Sequence, residues 1–202
     1  MPEFDVMVTD YILAVICSIF AVSLFKKNKQ TLNLLWVLFF SSIAVGAVMG
    51  GTVHGICSAE TRLCQILWTG SLLAIGITAA SCWMIGVVLW RGEEELGLWS
   101  LCVFVLFMIY ALILLFVSQN FLITIINYVP PLIFLLIIVS RKYIQTQDYN
   151  FLLITLGIIL SFVAAVFQQA QIGINPYYFN YNSTYHLLEG IALFLIYIGA
   201  KK

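Results

Sequence analysis

Two histidines and one carboxylate are the side chains in this sequence best suited to chemistry. His54 and His186 are the only histidines among the 202 residues, and Glu189 follows the second of them by three positions. Residues three apart on a helix lie on the same side of it, so His186 and Glu189 can act together. Two imidazoles and a carboxylate can hold zinc, which activates a bound water for hydrolysis of an amide or ester. The same groups can instead form a proton relay or a polar substrate clamp.

The residues that position these groups belong to a very apolar chain. Hydrophobic residues make up 63% of the sequence and charged residues 9%, the net charge is zero, and the mean hydropathy is +1.06. These values lie outside the range of soluble domains and predict an integral, multi-pass membrane protein. The balanced charge excludes a nucleic-acid partner and leaves membrane lipid as the expected environment and candidate substrate.

Seven apolar stretches are long enough to cross about 30 Å of hydrocarbon as helices. They cover residues 6–25, 32–56, 66–90, 96–118, 121–140, 150–171 and 184–200. The connections between them are short, so the sequence predicts one all-α domain over residues 1–202, a seven-helix bundle with neighbouring helices antiparallel. The longest connection, 173–183, is expected to be an ordered loop at the membrane interface, where Tyr177 and Tyr178 are typical residues.

The distribution of basic residues predicts how this bundle is oriented. Cytoplasmic loops carry an excess of lysine and arginine, and here the excess follows the odd-numbered spans. Only Arg62 falls among the other loops. The N-terminus is therefore expected outside and the C-terminus in the cytoplasm. The residues that carry this inference are Lys26, Lys27, Lys29, Arg91, Arg141, Lys142, Lys201 and Lys202.

Two further patterns lie at the predicted outer end of the bundle. Cys57 and Cys64 flank a short loop in which an oxidising compartment would allow a disulfide, although sequence alone supplies no Cα separation and leaves its formation open. Cys17, Cys82 and Cys102 lie within spans and are interpreted as apolar packing residues. Asn182 begins an Asn-Ser-Thr triplet of the type that accepts glycans in secreted proteins.

Polar side chains also gather in the outer half of the predicted spans. An ionised Glu189 at hydrocarbon level has to be paired, protonated or bound to a cation. The simplest alternative is that it accepts a hydrogen bond from a neighbouring histidine or glutamine. An outward-facing polar pocket is therefore predicted, with a substrate-binding wall formed by Gln168, Gln169, Asn127 and Ser71.

A stripe of small residues on span two bears on the position of His54. Ser42, Gly46, Gly50 and His54 recur every four residues, a spacing that allows close approach of another helix. If that neighbour is span seven, His54 comes close to His186 and Glu189. These three residues are then the predicted zinc ligands, and His186 and Glu189 are the predicted catalytic pair. Plain helix packing is the alternative explanation of the glycines.

The segments "GGTVHG" around His54 and "YHLLEG" around His186, together with the seven-span layout, resemble the CREST superfamily, which includes alkaline ceramidases and the progestin and adipoQ receptors. That resemblance implies a zinc-dependent lipid hydrolase with its N-terminus outside. The family pattern has a second histidine four positions from the span-seven histidine, where this chain has Gly190 or Asn182. It also has a serine where this chain has Gly50, and an aspartate early in span three that is absent here.

Two functions therefore compete at the level of sequence. The first is a metal-dependent membrane hydrolase of a lipid amide or ester. The alternative is a non-enzymatic receptor, sensor or assembly protein that keeps a hydrogen-bonded polar pocket without a metal. A retinal protein is disfavoured because span seven has no lysine in its middle for a Schiff base.

Overall fold

The computed structural model describes residues 3–57, 61–175 and 179–201, and seven α-helices account for most of them. Each helix is long and apolar enough to cross a membrane, which confirms the predicted all-α fold and the number of spans. A 3₁₀ turn at Glu93–Glu95 leads into α4. The helices are α1 (Phe4–Lys27), α2 (Thr31–Ile56), α3 (Arg62–Arg91), α4 (Leu96–Phe116), α5 (Phe121–Thr146), α6 (Tyr149–Gln169) and α7 (Tyr181–Ala200).

Several helices are longer than the apolar stretches that predicted them. Hydropathy marks only the apolar part of a helix, whereas the helix itself runs on to the residues that cap its free backbone groups. Thr61 caps α3 and Asn180 caps α7 through their side chains, and Gln147 ends α5 with φ 54°. The prediction that 173–183 is a loop is therefore wrong for residues 181–183, which form the first turn of α7. Tyr177 and Tyr178 lie outside the described residues.

The order of helix packing decides which side chains can meet. In the described bundle α2 packs between α1 and α3, while α3 also contacts α4 and α5. At the other side α6 packs between α5 and α7, and α7 returns to contact α1, so the first and last helices close the ring. The core near this closure is aromatic, because Phe20 stacks on Tyr197 at 4.2 Å between ring centroids and meets Phe40 edge-on at 5.5 Å.

The small-residue stripe of α2 faces α3 and α1. A Cβ built on Gly46 would lie 3.4 Å from the Ala74 side chain of α3, and one on Gly50 would lie 3.3 Å from the Ser71 hydroxyl. A Cβ on Gly51 would come within 2.8 Å of Asp10 on α1. Span seven was considered as a neighbour of this stripe, but α3 and α1 supply the atoms nearest to these three glycines. Consecutive helices joined by short loops fill the stripe first, and α7 meets α2 elsewhere, where the ring centroids of Phe40 and Tyr197 lie 6.3 Å apart.

The closest backbone approach involving α7 is made instead with α6. A Cβ at Gly157 would lie 2.7 Å from the carbonyl oxygen of Ala192, and one at Gly199 would lie 2.4 Å from that of Asn150. An isoleucine side chain also lies close to each position, but moving it aside would leave the clash with the backbone carbonyl. The two glycines thus fix the distance between α6 and α7.

The substitution Gly157→Ala is expected to lower the free energy of unfolding by about 1–3 kcal/mol, because the added methyl forces the two helices apart. The matched control is Gly97→Ala in α4, where a Cβ meets nothing within 4 Å. Denaturant unfolding of both variants in the same detergent measures the difference. Equal stability of the two variants would mean that the α6–α7 spacing is not fixed by Gly157.

Candidate functional site

The contact between α1 and α7 carries polar side chains toward both of its ends, and we call these polar contacts the α1–α7 seam. At the end where α1 begins, the Asp5 carboxylate accepts a hydrogen bond from the Ser183 hydroxyl at 2.7 Å and one from the Asn180 backbone N–H at 3.1 Å. At the other end the hydroxyls of Ser23 and Tyr197 lie 2.7 Å apart. Polar bridges therefore join the first helix of the bundle to the last one.

His186 lies near the same end of this seam, with both ring nitrogens in contact with α1. Its Nδ1 is 3.0 Å from the Thr9 hydroxyl, and its Nε2 is 3.3 Å from Asp10 Oδ1. The His186 and Asp10 side chains are 11% and 9% exposed, respectively, so neither is well solvated. A carboxylate and an imidazole removed from water in this way depend on each other for compensation of charge.

The hydroxyl of Thr9 has three polar neighbours for its single proton. The backbone carbonyls of Asp5 and Val6 lie 3.0 Å from it, and so does Nδ1 of His186. When the hydroxyl donates to one of the carbonyls, its oxygen accepts a hydrogen bond from a protonated Nδ1, and when it donates to Nδ1 the imidazole proton resides on Nε2 instead. In the first case the proton between Nε2 and Asp10 can reside on either group.

Glu189 is buried one turn further along α7 and points toward α6. Its Oε1 accepts a hydrogen bond from the Ser161 hydroxyl at 3.1 Å. Cys17, Tyr128 and Tyr185 are near enough to interact electrostatically with its carboxyl group. Glu189 therefore accepts a hydrogen bond, as in the simple alternative, but the donor is a serine of α6 instead of the expected histidine or glutamine.

His54 lies at the rim of the bundle and has a different carboxylate partner. Its Nδ1 is 2.8 Å from Oε2 of Glu3, with the two side chains 31% and 37% exposed. The backbone N–H of Glu3 also donates to the His54 carbonyl at 2.9 Å. The pair therefore ties the start of α1 to the end of α2.

The three predicted zinc ligands thus have three separate sets of partners. His54 pairs with Glu3, His186 with Asp10 and Thr9, and Glu189 with Ser161. In the part of the chain that the structure describes, no three side chains of His, Cys, Asp or Glu are grouped so that they could hold a metal ion. The zinc site and the catalytic pair of His186 and Glu189 stay predictions.

Comparison with known proteins places the chain in a family. The model of a family of unknown function, DUF6962, matches residues 6–202. The chain belongs to DUF6962. No curated protein and no solved structure matches it. The resemblance of this DUF6962 protein to the CREST superfamily stays a prediction, because no comparison connects the two.

The residues predicted to line a substrate pocket are dispersed in the DUF6962 structure. Gln168 donates to the Asn182 side chain at 3.1 Å, and Gln169 is exposed at the end of α6. Ser71 is buried and donates to the Gly46 carbonyl at 3.0 Å. Asn127 lines a groove between α4 and α5. The four residues do not surround one common cavity, and their role in binding stays a prediction.

Sequence reasoning about this DUF6962 chain missed Asp10 as a functional residue. Glu189 was the carboxylate singled out from the sequence, yet Asp10 is also buried, at 6% exposed, and lies against His186. Its position five residues inside the first predicted span was the available signal, because a carboxylate there needs a partner. Thr9 and Asp5 gave no such signal, since threonine is common in helices and Asp5 precedes the span.

The cysteines of this DUF6962 chain separate into bonded and free groups. Cys57 and Cys64 form a disulfide with their Cα atoms 5.9 Å apart, which resolves what the sequence left open. Cys17 and Cys82 are buried packing residues as expected, whereas Cys102 is exposed on α4. The carboxamide oxygen of Asn182 accepts a hydrogen bond from Gln168 in the first turn of α7, and a glycan on this residue stays a prediction.

Proposed function

We propose that this DUF6962 protein is a non-enzymatic membrane sensor of protons and that the pair of Asp10 and His186 is its sensing group. The observation that supports this proposal is that both ring nitrogens of His186 contact α1, Nδ1 at the Thr9 hydroxyl and Nε2 at the Asp10 carboxyl group. In this proposal the imidazole proton resides on Nδ1, with the Thr9 proton directed to the helix backbone, so that Nε2 faces Asp10. Ionisable groups inside a membrane bundle commonly mark proton pathways and switches. Zinc is not needed for this function.

The charge states of the pair give the sensor its response. With one proton between Nε2 and Asp10, the pair is neutral overall, either as imidazole and carboxylic acid or as imidazolium and carboxylate. A further proton leaves a charge of +1, and loss of the proton leaves −1. Either net charge is costly in an apolar bundle, so the folded seam is favoured at intermediate pH.

The position of the pair connects this response to the fold. Asp10 belongs to α1, which packs extensively on α2, and His186 belongs to α7, which packs extensively on α6. The contact between α1 and α7 is smaller than either of these two contacts. A net charge in the seam therefore acts where α1 and α7 have the least packing to hold them together. Asp5 and His54 also act electrostatically on His186 and belong to the same responsive set.

The function is tested by the pH dependence of the unfolding temperature, Tm, in detergent. We expect Tm of the wild type to fall on both sides of a maximum within about pH 5 to 8, where imidazoles titrate. Asp10→Asn removes the state of charge −1, so the fall on the alkaline side disappears while the fall on the acidic side remains. Identical Tm profiles for wild type and Asp10→Asn would contradict the proposal.

Zinc analysis of the same preparations separates this function from the hydrolase. One equivalent of zinc in freshly prepared wild type, lost together in His54→Ala, His186→Ala and Glu189→Gln, would overturn the sensor proposal in favour of a metal-dependent hydrolase. A protein free of zinc that keeps the bell-shaped Tm profile supports the sensor. The two readouts are independent, because the Tm profile needs no substrate.

We infer that the N-terminus and the disulfide lie outside and the C-terminus in the cytoplasm. The ends of α1, α3 and α5 that carry the basic residues lie away from the disulfide, which joins the end of α2 to the start of α3. Disulfides persist in oxidising compartments, so their presence at the less basic end agrees with the positive-inside rule.

Labelling of thiols in intact cells tests this orientation. After treatment with a reductant that cannot cross membranes, a thiol reagent that also cannot cross is expected to label wild type. A Cys57→Ser, Cys64→Ser variant is the control, because it retains Cys17, Cys82 and Cys102. If labelling required permeabilised cells, the disulfide would lie on the cytoplasmic side and the inferred orientation would be wrong.

A further inference from the structure

A lipid-facing groove opens between α4 and α5 above the surface of α3. These two helices are consecutive, yet they make few contacts with each other, and α4 packs almost entirely on α3. The groove has a volume of about 320 Å³. Small residues of α3 form its floor, namely Gly76, Ala79 and Ala80, and apolar side chains such as Ile109 and Ile113 form the α4 wall.

The α5 wall of this groove carries unsatisfied polar groups. Pro130 and Pro131 lie inside the helix and have no backbone N–H, so the carbonyls of Ile126 and Asn127 lack their usual donors four residues later. The side chain of Asn127 lines the groove as well, and within the described residues nothing hydrogen-bonds to its carboxamide. Two carbonyl acceptors and one carboxamide are therefore clustered on one turn of an otherwise apolar surface.

Such a cluster needs a hydrogen-bonding partner. Polar groups that face hydrocarbon without a partner are strongly unfavourable, and membrane proteins satisfy them through neighbouring helices, side chains or other molecules. The two carbonyls can only accept hydrogen bonds, so the partner has to be a donor. An ordinary alkyl chain would fill the groove but would leave all of these groups unsatisfied.

The size of the groove limits how much of an occupant it can hold. Ligand pockets begin at about 300 Å³, so the groove admits one slender segment of a lipid while the rest of the molecule lies in the bilayer. A polar side chain of a second copy would also supply a donor, and the oligomeric state in the test below distinguishes that occupant from a lipid.

The depth of the cluster matches the polar part of such a lipid. Asn127 lies six residues after the start of α5, about 9 Å along the helix. Interfacial layers are about 5–8 Å thick, which places Asn127 near the border with the hydrocarbon. Hydroxyl groups of neutral lipids lie at this border, with their apolar parts directed inward toward Trp83 and Pro131.

We propose that the groove between α4 and α5 binds a neutral lipid that carries a free hydroxyl group, which donates to the backbone carbonyl of Ile126 or of Asn127 and accepts a hydrogen bond from the Asn127 carboxamide. This site shares no residue with the α1–α7 seam. It therefore goes beyond the proton-sensing function, and neither proposal depends on the other.

Quenching of Trp83 fluorescence by brominated lipids tests the proposal, because Trp83 lines the groove. The protein is placed in phosphatidylcholine nanodiscs with a brominated diacylglycerol or, in a second arm, a brominated sterol. For each lipid the matching methyl ether lacks the donor. The Trp83→Phe variant identifies the part of the signal that belongs to this tryptophan.

At least one free hydroxyl lipid is expected to quench Trp83 at about 3- to 10-fold lower mole fraction than its methyl ether, the effect of one or two hydrogen bonds. Asn127→Leu is expected to reduce the preference for the hydroxyl lipid. Ala80→Leu is expected to weaken binding of the hydroxyl lipid and of its methyl ether, because the larger side chain fills the floor of the groove. Val105→Leu on the lipid-facing surface of α4 is the matched control and should change neither the preference nor the binding.

Three results would overturn the proposal. The first is equal quenching by the hydroxyl lipid and its methyl ether in both arms, and the second is an unchanged preference in Asn127→Leu. The third is a dimer of the wild type that Asn127→Leu dissociates, since the carboxamide would then bind a second copy of the chain. Asn127 has no partner inside the described bundle, so its substitution is not expected to unfold the protein.

Discussion

His186→Ala is expected to lower the free energy of unfolding by about 3–5 kcal/mol, because it leaves the buried Asp10 carboxyl group without its partner. His54→Ala makes the same chemical change in a pair whose side chains are about one third exposed. Water and salt already compensate the Glu3 charge there, so a loss of less than about 1 kcal/mol is expected. Denaturant unfolding in one detergent at neutral pH measures both variants.

A double variant separates loss of the pair from loss of packing. In Asp10→Asn, His186→Ala the isolated carboxyl group is absent, so this variant should be more stable than His186→Ala alone, whereas independent sites would give additive losses. Similar losses in His54→Ala and His186→Ala would contradict the assignment of the seam as a buried, mutually dependent pair. The comparison requires no knowledge of a ligand.

The seven helices could be predicted because length and hydropathy are local properties of the chain. A stretch such as 32–56 has to cross the membrane as a helix whatever it packs against, and α2 occupies Thr31–Ile56. Helix ends were less predictable, because capping depends on single side chains such as Thr61 and Asn180. Those residues lie in polar segments that hydropathy does not resolve.

The candidate site depended on contacts that no local pattern contains. His186 meets Thr9 and Asp10, and 177 positions separate His186 from Thr9 along the chain. The sequence contained Asp10 and His186 as unusual polar residues, but only the closure of α7 onto α1 identifies them as partners. The stripe on α2 suggested another neighbour, since small residues indicate close packing without indicating which helix supplies it.

The same limit explains why one polar pocket was expected and several separate polar contacts were found. Depth in the membrane can be read from the sequence, and Ser71, Asn127 and Gln168 do lie toward one end of the bundle. Rotation about each helix axis cannot be read with the same certainty. Asn127 consequently faces the groove between α4 and α5, while Gln168 faces Asn182.

Glu189→Ala is expected to lower the free energy of unfolding by about 2–4 kcal/mol. The change removes the acceptor of the Ser161 hydroxyl and leaves a cavity beside Cys17 and Tyr128. Glu189→Gln keeps an oxygen in place for Ser161 and removes a buried acid, so its stability should stay within about 1 kcal/mol of wild type. Glu94→Ala, in the exposed 3₁₀ turn, is the control with an expected effect below about 0.5 kcal/mol.

The contrast between Glu189→Ala and Glu189→Gln also decides what the carboxyl group does. If Glu189 only accepts a hydrogen bond, the glutamine variant keeps both the stability and the Tm profile of wild type, since the pair of Asp10 and His186 is untouched. If Glu189 binds a cation, its uncharged amide is a poor replacement, and Glu189→Gln would lose the metal while retaining its fold. A Glu189→Gln variant as unstable as Glu189→Ala would contradict both roles, because the charge itself would then have to be stabilised by groups other than Ser161.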